Sequence, residues 1–131
     1  MILRIDPRSP VPPYEQIRAQ VATMVQTGVL ADGARLPSIR QLAKDLALAS
    51  GTVARAYREL EAEGIVLTRG RHGTVITNPG RTAPAADRRR QVDQAAAAFA
   101  IEAAHQGADV DQALDAVRRA FGGLVGQRRP A

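Results

Sequence analysis

The sequence predicts an α+β chain in two parts: three helices and a two-stranded hairpin, then a small all-α helical hairpin. Three observations predict it. Apolar residues recur at helical spacing in three stretches before residue 64. Two short β-prone runs, 65–68 and 74–77, flank a Gly-bounded tip. The composition also changes near residue 80: residues 1–80 hold 21 of the 28 Val, Ile and Leu, while 81–131 hold seven of them and 15 of the 25 Ala. The breaker cluster Asn78-Pro79-Gly80-Arg81-Thr82-Ala83-Pro84 at this junction reads as a linker. Residues 1–80 are therefore expected to form one domain. Residues 81–131, too poor in bulky side chains to offset the entropy of ordering about 50 residues alone, are expected to be a linker and a helical domain that buries its stripe elsewhere.

Along the chain, Leu3-Arg4-Ile5 reads as a short extended lead-in, followed by a turn at Pro10, Pro12 and Pro13. A helix starts near Pro13 or Tyr14, carries Ile17, Val21, Met24 and Val25 at helical spacing, and ends at Gly28. Asp32-Gly33 makes a turn. Pro37-Ser38 opens a second helix with the apolar face Ile39, Leu42, Ala43 and Leu46, and Ser38 is its expected N-cap. After a tight connector over 46–50, a third helix starts at about Ser50, capped by Ser50 or Thr52. It places Val53, Ala56, Tyr57 and Leu60 on one face and stops at Gly64. The two β runs follow, joined by Arg69-Gly70-Arg71-His72-Gly73. Three helices and then a hairpin with a cationic tip is the order of a winged helix-turn-helix, with the second and third helices as its tight pair.

Composition narrows the chemistry. The chain has no Cys, which excludes disulfides, thiolate zinc sites and cysteine nucleophiles. Its net charge is +5, and of the 18 cations 17 are Arg, the exception being Lys44. Guanidinium grips phosphate with two parallel hydrogen bonds, so the arginine bias points to nucleic acid more than the modest net charge does. Residues 1–80 hold ten cations and seven acids, and 81–131 hold eight and six, so placement discriminates where balance does not. No apolar run approaches the roughly 18 residues of a membrane span, and no signal-peptide core is present. A cytoplasmic protein without a membrane partner is expected.

A recognition helix needs short polar side chains at its N-terminal turn, because that end meets base edges in the major groove. Ser50, Gly51 and Thr52 fit, with Gly51 permitting close backbone approach; for Ser50 and Thr52 plain N-capping is the alternative. Arg55, a little over a turn further on, faces either a base edge or a backbone phosphate. Arg58, flanked by Glu59, Glu61 and Glu63, reads equally as a solvated helix pair. On the second helix, Arg40 lies off the apolar face and suits the DNA backbone, against a surface ion pair with Asp45; Lys44 is as readily solvated. Arg35 precedes that helix where a phosphate contact is expected. Arg69, Arg71, His72 and Gly73 form a cationic loop suited to the minor groove, against an ordinary exposed turn. The tip lacks the Gly-Lys-Ser/Thr ending of a nucleotide loop. Tyr57 is read as a core ring with its hydroxyl at the edge.

These residues resemble a family. Leu36-Pro37-Ser38-Ile39-Arg40-Gln41-Leu42-Ala43, with Gly51-Thr52-Val53-Ala54-Arg55-Ala56-Tyr57-Arg58-Glu59-Leu60-Glu61-Ala62-Glu63-Gly64, looks like the GntR family of bacterial transcription regulators. Pro13-Tyr14-Glu15-Gln16-Ile17 and Gly70-Arg71-His72-Gly73-Thr74-Val75 match the same pattern. The Thr-Val-x-Arg-Ala-Tyr-x-Glu-Leu-Glu version and the short tail are similar to its YtrA subfamily. The resemblance covers roughly residues 10–77 closely. It implies a dimeric, operator-binding regulator, usually a repressor, often of neighbouring transporter genes. It further implies that Arg40 contacts the backbone, that the 50–52 turn and Arg55 lie in the major groove, and that His72-Gly73 lies in the minor groove. Many members carry a further Arg or an Asn-Pro-Asn turn where this chain reads Ala49-Ser50-Gly51, so the resemblance carries no operator sequence.

In the tail, Val92, Ala96, Phe99 and Ala103 step by four, three and four, a stripe broadened by Ala95 and Ile101. After Gly107 a second helix, capped by Asp109, places Val110, Leu114, Val117 and Phe121 on one face. Small residues permit close helix approach, so pairing with a twin subunit is expected, with folding back onto the chain's own first domain as the alternative. A homodimer would set two recognition helices on a palindromic operator in double-stranded DNA. The tail has little room for a drug-sized pocket of about 300 Å³ or more. An unidentified small-molecule effector is therefore expected to act at the dimer interface or the linker. His105 has no second ligand placed near it, so no metal is expected, nor any cofactor. An enzyme is not expected: the two His are far apart in sequence, the acids show no partnered pattern, and Lys44 inside the second helix is no Schiff-base lysine. The remaining alternatives are a winged-helix module for protein contacts and a nonspecific DNA-binding protein.

Overall fold

A computed structural model describes residues 2–70, 73–77 and 85–127. The chain divides into two compact units, the first Leu3–Ala83 and the second built from Pro84–Ala131. The expected linker, 78–84, lies outside the described residues, as do Arg71 and His72 at the hairpin tip.

The first unit begins with a segment that forms no strand. Two amides of the first helix hold it instead. Gln20 accepts from the Arg4 N–H at 2.9 Å and donates to the Arg4 carbonyl at 2.7 Å, while Gln16 does the same for Asp6 at 2.8 and 3.0 Å. Helix α1, Pro13–Gln26, starts with proline in its first turn, where the missing N–H costs nothing. Its stripe Ile17, Val21 and Val25 is buried, and Gly28 follows at φ +80°. Helix α2, Ile39–Leu46, is capped as expected: the Ser38 hydroxyl accepts from the Gln41 N–H at 3.1 Å. It packs on the next helix through Leu42 and Ala43. Ile39, expected on the apolar face, is instead 37% exposed, because it sits a turn ahead of that short packed stretch.

Helix α3, Ser50–Ala62, buries Val53, Ala56, Tyr57 and Leu60 against α1 and α2. The connector is closed by Ala47 in the left-handed region, φ +54°, with the Leu48 N–H on the Ala43 carbonyl at 2.9 Å. That tight turn brings the chain to its helical path early, so the cap position falls on Ala49, and neither Ser50 nor Thr52 caps. Strands β1, Val66–Thr68, and β2, Thr74–Ile76, pair antiparallel with Val66 opposite Ile76 and Thr68 opposite Thr74. Each is shorter than the β-prone run that predicts it. The core is Ile17, Val21, Val25, Leu36, Leu42, Ala43, Val53, Ala56, Tyr57, Leu60, Val66 and Ile76, all in the first unit. Arg18 ties α1 to the end of α3, reaching Glu15 at 2.5 Å and Glu63 at 3.1 Å. Its hydrogen bond holds the Glu15 carboxyl below the usual carboxylate range.

The second unit consists of α4, Ala85–His105, and α5, Val110–Gln127, joined through Gly107 at φ +82°, a conformation costly for any residue with a Cβ. Asp109 caps α5 as expected, accepting from the Gln112 N–H at 2.8 Å while Gln112 accepts from the Asp109 N–H at 2.9 Å. The two helices scarcely pack on each other: Val92, Phe99, Ile101, Val110, Leu114 and Phe121 all remain exposed. Among the described residues, no helix is long and apolar enough to cross a membrane.

Candidate nucleic-acid interface

The site is built on three elements of the first unit. The first is the N-terminal turn of α3. Ser50 and Gly51 are exposed and Thr52 is half-buried. With Ala49 at the cap, the Thr52 N–H turns back to the Ala49 carbonyl at 3.1 Å, and among the described residues no side chain caps the turn. Gly51 is helical without a left-handed φ, and a Cβ built there meets nothing within 4 Å. Among the described residues, nothing requires glycine at that position, although glycine in a helix costs up to about 1 kcal/mol relative to alanine.

Arg55, one turn along, is exposed, and its guanidinium carbon lies 3.8 Å above the centre of the Tyr14 ring. Further down α3 the charge reverses: Glu59, Glu61 and Glu63 follow Arg58, so only the N-terminal half of the helix suits a polyanion.

The second element is α2. Arg40 is exposed there, and the alternative pairing with Asp45 is not made: Gln41 donates to that carboxylate at 2.7 Å. Tyr57 ties α3 to the start of α2: its ring is buried as expected and its hydroxyl donates to the Pro37 carbonyl at 2.7 Å. Burial pushes its phenol well above the usual range, so it stays a donor.

The third element is the hairpin. Residues 33–36 join it, which the sequence reading missed by treating Asp32-Gly33 as a simple turn. The Leu36 N–H donates to the Thr74 carbonyl and the Ile76 N–H to the Ala34 carbonyl, both at 2.8 Å, and Arg35 bridges to Val75. Arg35 therefore belongs with the wing, not only with the start of α2. Arg69 leaves β1 exposed and donates its N–H to the Gly73 carbonyl at 2.8 Å, with Gly73 at φ +72°. Among the described residues, Arg18, Arg90 and Arg119 are taken up in ion pairs. Arg35, Arg40, Arg55 and Arg69 have no carboxylate partner there. Tyr14 is the neighbour that sequence reasoning missed. Its only signal was an aromatic at the head of the Ile17 stripe.

The tail residues singled out by spacing fall into two groups. Val92, Ala96, Phe99, Leu114 and Phe121 are exposed, Val92 by 66% and Phe121 by 61%, while Ala103 and Val117 are half-buried.

Residues 13–76 match the family described as bacterial regulatory proteins, gntR family. The chain is 30% identical to the HTH-type transcriptional repressor YtrA of Bacillus subtilis (strain 168) over 128 residues, 98% of each chain. It belongs to the GntR family. Because that likeness runs through the tail, this chain is a YtrA-like member: a transcription regulator with a DNA-binding helix-turn-helix. It is also 52% identical over 75 residues to the HTH-type transcriptional regulator Rv1152 of Mycobacterium tuberculosis, covering 57% of this chain and 62% of that one. Among solved structures, YtrA from Sulfolobus acidocaldarius, a GntR-family transcription factor, is 32% identical with a TM-score of 0.57, covering 75% of this chain and 99% of that one. The YtrA-like fold of a winged helix-turn-helix followed by helices is thus the fold seen here.

Proposed function

We propose that the chain is a cytoplasmic repressor that binds a palindromic operator as a homodimer. The observation that carries this reading is the first turn of α3, which among the described residues has no side-chain cap and carries a glycine that no neighbour calls for. Such a turn suits close approach to a major groove. In this reading Ser50, Gly51, Thr52 and Arg55 face base edges or adjacent phosphates, and Arg35 and Arg40 grip the backbone. Arg69, Arg71, His72 and Gly73 reach the minor groove from the wing. Likeness to a named repressor across 98% of both chains supports repression.

Residues 81–131 serve as the dimerisation domain through Val92, Ala96, Phe99, Ala103, Leu114, Val117 and Phe121. The exposure of Val92, Phe99, Leu114 and Phe121 in the single chain supports a twin subunit as the surface that covers this stripe. An unidentified small-molecule effector acts at that interface or at the linker.

The test is a gel-shift titration on a duplex from upstream of the chain's own gene, at two salt concentrations. Log affinity is expected to fall against log salt with a slope of about −0.9 for each phosphate neutralised, and Arg40→Ala to reduce that slope by about 0.9. Gly51→Ala is expected to raise thermal stability slightly while weakening the complex, a split that a purely structural glycine would not give. Absence of any shift at low salt overturns the reading. Equal affinity for random-sequence duplex reduces it to nonspecific binding.

A further inference from the structure

Tyr14 has no part in the roles assigned above, yet it touches the residue at their centre. It sits in the first turn of α1, half-buried, with the Arg55 guanidinium stacked over its ring at 3.8 Å. We propose that Tyr14 is a positioning residue that holds Arg55 ready for DNA. The inference rests on the reading that Arg55 faces DNA.

An exposed arginine without a carboxylate partner is free to sample many rotamers, and fixing it on binding costs side-chain entropy. Stacking removes part of that cost in advance. It also leaves the chemistry intact, because the ring occupies the face of the guanidinium while its N–H donors radiate from the edge. A carboxylate in the same place would take up those donors and cancel the charge. The ring comes from α1, which packs directly on α3, so the platform moves with the recognition helix. An aromatic placed there fixes an arginine without consuming it.

The experiment is a fluorescence-anisotropy titration of the full chain on the same upstream duplex, as a double-mutant cycle. Tyr14→Leu keeps apolar volume and removes the ring; it is expected to weaken binding about fivefold. Tyr14→Phe keeps the ring and is expected to stay within about twofold of the parent chain. Arg55→Ala is expected to weaken binding tenfold or more, as loss of a direct base or phosphate contact would. Adding Tyr14→Leu to Arg55→Ala is then expected to cost less than about twofold. An equal loss from Tyr14→Leu in both backgrounds overturns the inference, as does unchanged binding by Tyr14→Leu when Arg55→Ala is impaired. Unchanged binding by Arg55→Ala removes the DNA role of Arg55 itself, and the inference with it. Without DNA, the Arg55 side-chain NMR signals are expected to be shifted upfield by the ring, to stay so in Tyr14→Phe and to lose the shift in Tyr14→Leu. Unshifted signals in the parent chain overturn the stacking.

Discussion

The two units use their apolar side chains in opposite ways. In the first, the buried core among the described residues runs from Ile17 to Ile76, and Ile17, Val21, Val53 and Leu60 have no exposure at all. Burying each large apolar side chain contributes about 1.5–3 kcal/mol, so this unit is held by its core. In the second, Phe99 is 38% exposed and Val110 69%. There the helices rest on local terms: the alanine run of α4, the Asp109–Gln112 capping box and the Gly107 turn. One unit is complete as a single chain, and the other presents a surface. The difference matches the division of labour proposed above, a rigid reader and a pairing element.

Substitutions break that comparison most directly in the core. Leu60→Ala is expected to destabilise the first unit by about 2–5 kcal/mol, read as a lower urea midpoint, because it leaves a cavity on the fully buried face of α3. Phe99→Ala should leave that midpoint unmoved. A comparable loss at Phe99 would mean that the tail's stripe is covered within the chain. Next in size is Phe121→Asp, which puts a charge at the proposed twin-subunit contact. Light scattering is expected to show monomer in place of dimer. Operator affinity is expected to fall roughly a hundredfold as the gain from two linked half-sites is lost. Far-UV circular dichroism should keep its helical signal. A Phe121→Asp chain that stays dimeric would remove this face from the interface.

Much of this was legible in the sequence where the cause is local. Ser38 caps α2 because a hydroxyl before a helix meets the N–H three residues on, a relation fixed by spacing alone. The buried stripes of α1 and α3 follow from a period of 3.6 in the same way. What was missed depends on distant partners or on backbone path. The bridge from Arg35 to Val75 needs the wing to fold back onto residues 33–36. Nothing in an Asp-Gly turn encodes that pairing. The stacking of Arg55 on Tyr14 needs α1 and α3 at their packed distance. The cap of α3 moved to Ala49 because the connector closes through a left-handed Ala47, where glycine would have announced the turn. Ile39 fits the apolar period but lies beyond the stretch that packs.

The smallest effect concerns a side-chain hydrogen bond that joins the core to the site. Tyr57 is 5% exposed and donates to the Pro37 carbonyl at the start of α2, so its hydroxyl ties the helix pair together. Tyr57→Phe is expected to cost about 0.5–1.5 kcal/mol near neutral pH. Because burial raises this phenol above its ordinary range, the folded chain keeps a proton that the unfolded chain releases near pH 10. The contribution is therefore complete below about pH 10 and declines as pH rises beyond it. Urea midpoints compared on either side of that pH should fall in the parent chain and fall less in Tyr57→Phe, where nothing at that position titrates. Parallel declines would assign the alkaline loss to other groups. Tyr57→Phe is also expected to weaken the operator complex while Phe121→Asp leaves the urea midpoint of the first unit in place, so the pair of variants separates the tie within the reader from the assembly of the dimer.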